Sequence, residues 1–100
     1  KRTRSVNVYF TPTAKSDLTQ LKAYLEPRTA VAAQKQLTAI ATAARMLETY
    51  PLIGKRGRVE GTQELVVPAT NYILVYEIFS PENLYILRVL HGSMKYPPFP

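Results

Sequence analysis

The sequence predicts a small α+β domain: an N-terminal strand, an antiparallel helical hairpin, then a three-stranded antiparallel meander (β-α-α-β-β-β). The helices lie on one face of the sheet. Three observations lead there. Residues 61–91 hold three apolar runs, 64–67, 72–79 and 84–90, each rich in β-branched and aromatic residues and bounded by turn formers. The links between the runs, Pro68-Ala69-Thr70-Asn71 and Ser80-Pro81-Glu82-Asn83, are too short for a parallel crossover, so neighbouring runs must pair antiparallel. Upstream, apolar residues recur at three- and four-residue spacing in two stretches divided by Pro27, which is the period of two helices.

Taken in order, VNVYF (residues 6–10) alternates apolar positions and reads as a strand too short to stand alone, so it joins the meander. Thr11-Pro12 opens the first helix, because threonine caps well and proline at the first helical position loses no hydrogen bond. Ala14, Leu18, Leu21 and Leu25 mark its apolar face, with Lys15, Gln20 and Lys22 off it. Pro27 ends it. In the second helix Ala30, Ala33, Leu37, Ile40, Ala44 and Leu47 step along one face, and its alanines favour helix and permit close approach of a neighbour. The join around Pro27 is short, so the two helices fold back on each other. Tyr50-Pro51 stops the second helix. Residues 52–60 (LIGKRGRVE) form a loop with the basic cluster Lys55, Arg56 and Arg58 and room for a short strand.

One hundred residues make a single domain, residues 1–100, with residues 1–5 as a loose N-terminal tail. The chain opens on Lys1, so the sequence is expected to begin part-way into a gene product. Thirteen Lys/Arg against seven Asp/Glu give a net charge of +6, which favours encounter with acidic partners, nucleic acid or protein alike. Without cysteine and with one histidine, no disulfide, thiolate site or zinc site is expected, and a reducing cytoplasm suits the chain. No apolar run approaches the ~20 residues of a membrane helix. Glu60, Glu64, Glu77 and Glu82 show no hydrolytic pairing, and GKRG (residues 54–57) lacks the strand–loop–helix context of a phosphate-binding loop, so no cofactor or metal is expected.

Side-chain parity divides the sheet. Tyr72, Leu74, Tyr76 and Ile78 point one way and Ile73, Val75, Glu77 and Phe79 the other. An unpaired Glu77 is costly under a helix, so its side is the open one. Applied to the last strand, the same reasoning groups Leu84, Ile86, Arg88 and Leu90 on the open face and Tyr85, Leu87, Val89 and His91 under the helices. The expectation is an uncovered patch of Ile73, Val75, Ile86 and Leu90 around Arg88, awaiting a partner. A cross-strand ion pair with Glu77 is the structural alternative for Arg88.

The element order, with TPTAKSDL at the first helix, YPLIGKRGR after the second, and QELVVPATNYILVYEI followed by LYILRVLHGSMKYP, resembles the RelE/ParE superfamily of type II toxin–antitoxin toxins over residues 6–97. The resemblance implies a cytoplasmic toxin neutralised by a cognate antitoxin, whose acidic C-terminal segment wraps it in a hetero-oligomeric complex. RelE-like members cleave messenger RNA on the ribosome, whereas ParE-like members poison DNA gyrase without enzymatic activity. RelE-like chains typically carry an arginine directly after the tyrosine that opens the middle strand, and here that position is Ile73. An isoleucine cannot neutralise a scissile phosphate.

The resemblance is therefore closer to ParE, with Ile73, Val75, Ile86, Arg88, Leu90, Lys55, Arg56, Arg58, Lys95 and Tyr96 expected to bind antitoxin or target. The nuclease alternative would use Arg88, His91, Lys95 and Tyr96, with histidine as acid or base near neutral pH. The structural reading of His91 is a strand-end residue that packs or caps. A non-toxic, antitoxin-binding role is the third alternative.

Overall fold

The computed structural model describes residues 5–97. The elements are β1 (Asn7–Phe10), α1 (Pro12–Leu25), α2 (Ala30–Thr49), β2 (Lys55–Arg56), β3 (Gln63–Val66), β4 (Tyr72–Ile78) and β5 (Asn83–His91). The basic tail residues Lys1, Arg2 and Arg4 lie outside the described residues.

Both helices start on threonine caps. The Thr11 hydroxyl accepts from the Ala14 N–H at 3.2 Å, with Pro12 at the first helical position, and Thr29 caps Ala32 in the same way. The inward faces supply Ala14, Leu21, Ile40, Ala43, Ala44 and Leu47 to the core, against Val67, Leu74, Tyr76, Leu84, Ile86 and Val89 of the sheet side.

The sheet order is β1-β5-β4-β3-β2. The meander pairs antiparallel as expected, and β2 extends it by one short edge strand. The first strand departs from an all-antiparallel sheet: β1 runs parallel to β5, from Asn7↔Asn83 to Phe10↔Ile86. No tight turn links these two strands, because the helical hairpin and the meander intervene, so loop geometry does not dictate their polarity.

A second difference lies within β5. Val75 pairs with Arg88, but the next residue, Tyr76, pairs with Ile86, leaving Leu87 as an extra residue in a β-bulge. The bulge reverses parity along the strand. Leu84 and Ile86 therefore face the helices beside Ile78 and Tyr76, while Arg88 and Leu90 face the other side with Val75 and Ile73. Ile86 does not belong to the open face: it is fully buried in the helix-side core. Tyr85, opposite Glu77, moves the other way and stacks on Tyr9 of β1 with centroids 5.4 Å apart.

Candidate functional site: the helix-free face of the sheet

The helix-free face is built in rows set by strand register. One row runs Val66, Ile73, Leu90 from β3 through β4 to β5, and the next runs Glu64, Val75, Arg88, with Lys55 of β2 opposite Glu64. Directly opposed side chains in such rows touch. The second row is thus a charged band with one valine at its centre.

Each arginine in this band has its own carboxylate. The Arg58 backbone N–H and Nε both donate to Glu64 Oε2 at 2.9 and 3.1 Å, and Nη2 donates to Oε1 at 3.2 Å. Glu64 is only 4 % exposed, so without these three bonds it would be an isolated buried charge. Burial alone would push the Glu64 carboxyl up, but the side-chain and backbone hydrogen bonds from Arg58, with the charges of Arg58 and Lys55, hold it below the ordinary carboxylate range.

Across the valine, Arg88 Nε donates to Asp17 Oδ2 at 2.8 Å and Nη2 to Oδ1 at 3.1 Å, while the same Oδ2 accepts the Val89 N–H at 2.8 Å. The partner of Arg88 is therefore Asp17 of α1 and not Glu77. Beyond Phe10 the β1 chain turns into α1, and Asp17 supplies the acceptor that a continuing strand would have offered to β5. Hydrogen bonding to Asp17 raises the Arg88 guanidinium pKa against the opposing effect of burial, with Asp17 and Tyr96 nearby adding to the rise.

Tyr96 joins the band from the C-terminal segment. It is half-buried, and the Arg58 guanidinium lies 5.3 Å from the centre of its ring. Val75 and Leu90, expected to be uncovered, are fully buried although they stand outside the helix-side core. Glu64 and Arg88 flank Val75 in its row, and Tyr96 of the C-terminal segment lies near both Arg58 and Arg88. Ile73 stays half-exposed in a shallow concavity with Lys55, Arg56, Arg58, Glu64 and Val66. The expected apolar patch is instead a polar band with a narrow apolar border.

The basic loop is fixed from beneath. Tyr76, fully buried, donates its hydroxyl hydrogen to the Pro51 carbonyl at 2.8 Å and accepts the Gly54 N–H at 2.9 Å. Burial raises the pKa of this phenol, and the Gly54 bond partly offsets the effect. Gly54 has no room for a side chain, since a Cβ there would sit 2.6 Å from the Tyr76 oxygen and 2.8 Å from the Glu64 carbonyl oxygen. Leaving this anchor, Lys55 and Arg56 run along the outer edge of the sheet, exposed, with no ion-pair partner among the described residues.

The four residues of the nuclease alternative do not converge. Arg88 and Tyr96 belong to the charged band, and Lys95 is exposed beside it in sequence. His91 lies opposite Tyr72, edge to face with centroids 5.3 Å apart, in a cleft that also takes Leu21 and Tyr24 of α1. Its Nδ1 accepts the Ser93 N–H at 3.1 Å and lies 2.7 Å from the Ser93 hydroxyl. Register places Arg88 and His91 on opposite faces, as expected for residues three apart on a strand. Among the described residues, no group of three His, Asp or Glu side chains could hold a metal ion.

Two residues that shape the site were not anticipated. Asp17 carries a readable signal: it lies three residues after Ala14 and four before Leu21, flanking the buried stripe of α1. The bulge at Leu87 carries none, since no glycine or proline marks it.

Comparison with known proteins places these features. A family model described as "ParE toxin of type II toxin-antitoxin system, parDE" matches residues 8–96. A protein of Sinorhizobium fredii named "Putative toxin Y4kP" is 35 % identical over 80 residues, which is 80 % of this chain and 81 % of that protein. Among solved structures, a chain of the chromosomal ParDE system of P. aeruginosa superposes with a TM-score of 0.77 at 17 % identity, covering 87 % of this chain and 96 % of that one. A chain of the RelBE2 toxin–antitoxin complex of Mycobacterium tuberculosis superposes with a TM-score of 0.62 at 34 % identity, covering 87 % and 98 %.

Proposed function

Because the chain belongs to the ParE toxin family of type II toxin–antitoxin systems, we propose that it arrests growth as a non-enzymatic poison of DNA gyrase in the cytoplasm, neutralised by a cognate antitoxin. The observation that carries this reading is the division of the polar residues. Cleaving RNA by general acid–base catalysis needs a base, an acid and cationic groups within hydrogen-bond reach of one phosphate. Here His91 lies exposed at the end of β5 against Tyr72, the register turns Arg88 to the opposite face of the strand, where Asp17 engages it, and Ile73 stands between Val66 and Leu90. A band of oriented arginines around a buried valine suits protein recognition, where positioned guanidinium groups and a desolvated centre carry affinity.

A second reading, a ribosome-dependent messenger-RNA endoribonuclease, draws support from the likeness to the RelBE2 chain and from the exposed Lys55 and Arg56 beside the band. Inducing the chain alone separates the two. The gyrase reading expects a DNA-damage response with intact messenger RNA, whereas codon-positioned RNA cleavage would favour the second. With purified gyrase, the expected result is loss of supercoiling activity and a trapped cleavage complex. Neither appearing would remove gyrase as the target.

A further inference from the structure

Arg88 stands opposite Val75 at the centre of the face, yet its direction is set from outside the sheet. Asp17 reaches it from α1, 71 residues away in sequence, and grips the guanidinium along one edge through Nε and Nη2. A guanidinium has five N–H donors in a rigid plane. Two are committed to Asp17, so three remain: one on Nη2 and one on Nη1 make a pair at the tip of the fork, and the second Nη1 hydrogen points to the side away from Asp17. A long, flexible side chain thereby becomes a fixed fork. We propose that Asp17 is the positioning residue for Arg88: it holds the arginine so that its free donors meet an oxyanion or carbonyl of the toxin's target. This rests on the reading of the helix-free face as the target surface, but not on which target it is.

The geometry separates this role from a merely structural one. Asp17 has two tasks, to accept the Val89 N–H and to orient Arg88. Asp17→Asn keeps an amide oxygen for the Val89 N–H but turns an NH2 group against Arg88 Nη2, donor facing donor. The edge of β5 stays satisfied and Arg88 Nε keeps its acceptor, while the second bond of the grip, from Nη2, is lost and the fork is free to swing. A charge-swapped pair, Asp17→Arg with Arg88→Asp, does the reverse: it restores an ion pair between α1 and β5 and presents no fork to the target.

The experiment compares the inducer dose that arrests growth, which is blind to the target's identity, with thermal melting of each purified variant. Asp17→Asn is expected to melt cooperatively and to need about tenfold more toxin, the equivalent of one charge-assisted hydrogen bond's worth of affinity. Arg88→Ala is expected to be non-toxic, and adding Asp17→Asn to it should change nothing further, since the aspartate acts through the arginine. For the swapped pair, melting should recover relative to the single charge reversals while toxicity does not. The proposal is overturned if Asp17→Asn remains fully toxic, if it loses cooperative melting, or if the swapped pair regains toxicity with stability. Toxicity surviving in Arg88→Ala would overturn the role of Arg88 itself, and Asp17's with it. If gyrase proves not to be the target, each of these outcomes keeps its meaning.

Discussion

Single side chains in this molecule hold charge and backbone in places that packing alone would not. Tyr76 is the clearest example, a phenol in the middle of the core whose oxygen bonds to both Pro51 and Gly54. Tyr76→Phe leaves those backbone groups unpaired in a buried setting, which costs about 2 kcal/mol. For a domain of this size that lowers the melting temperature by roughly 10 °C, readable by circular dichroism. Glu64 makes a different claim, on pH. Its folded pKa is depressed, so the stability it contributes is fully present above the unfolded carboxyl value of ~4.3 and drains away as pH falls through the lower folded value. Melting curves taken from pH 6 to pH 3 should show the native chain losing stability more steeply below about pH 4.3 than Glu64→Gln does. Equal slopes would mean that the three bonds from Arg58 do not favour the ionised form.

The elements were more legible in sequence than the site was. Capping threonine, first-turn proline and three-four spacing located α1, and alternation with short links located β3, β4 and β5, because each signal is local. What escaped were features decided by distant residues. The parallel docking of β1 depends on an edge of β5 that exists only once the meander is folded. The bulge at Leu87 moved Ile86 into the core and Tyr85 out of it, and strict period-two counting has no means of seeing it. Arg88 was identified as a residue of interest, but its partner lies in another element. The turn from α2 into β2 was likewise visible only as a loop, whereas Tyr76 and the missing Cβ of Gly54 make it a fixed platform. Gly54→Ala should lift that platform, since Glu64's backbone carbonyl cannot yield to the new methyl group as a flexible side-chain end could. Amide hydrogen exchange is expected to accelerate over residues 54–58 while α2 keeps its protection. Unchanged exchange there would show that the loop needs no such contact.

At the scale of the whole molecule, charge and topology act over longer distances. The chain carries a net +6, and Lys55 and Arg56 project some of that surplus at the sheet edge, exposed and with no ion-pair partner within contact among the described residues. Such charges act chiefly on the rate of encounter with an acidic partner. Reversing both, Lys55→Glu with Arg56→Glu, should slow association with an acidic antitoxin segment about tenfold at low salt and leave dissociation nearly unchanged. The difference between variants should shrink as ionic strength rises. A change confined to the dissociation rate would place the two side chains inside the contact rather than at its approach.

The pairing of the first strand with the last also sets a timetable for the molecule's birth. The helical hairpin forms from neighbours in sequence, but β1 waits for residues 83–86, and Asp17 for an arginine 71 positions downstream. Closing loops of that length is entropically costly and comes late in folding. A nascent polypeptide stopped short of β5 therefore has the helical hairpin but not the surface around Val75. The charged band is thus assembled only once β5 has been made.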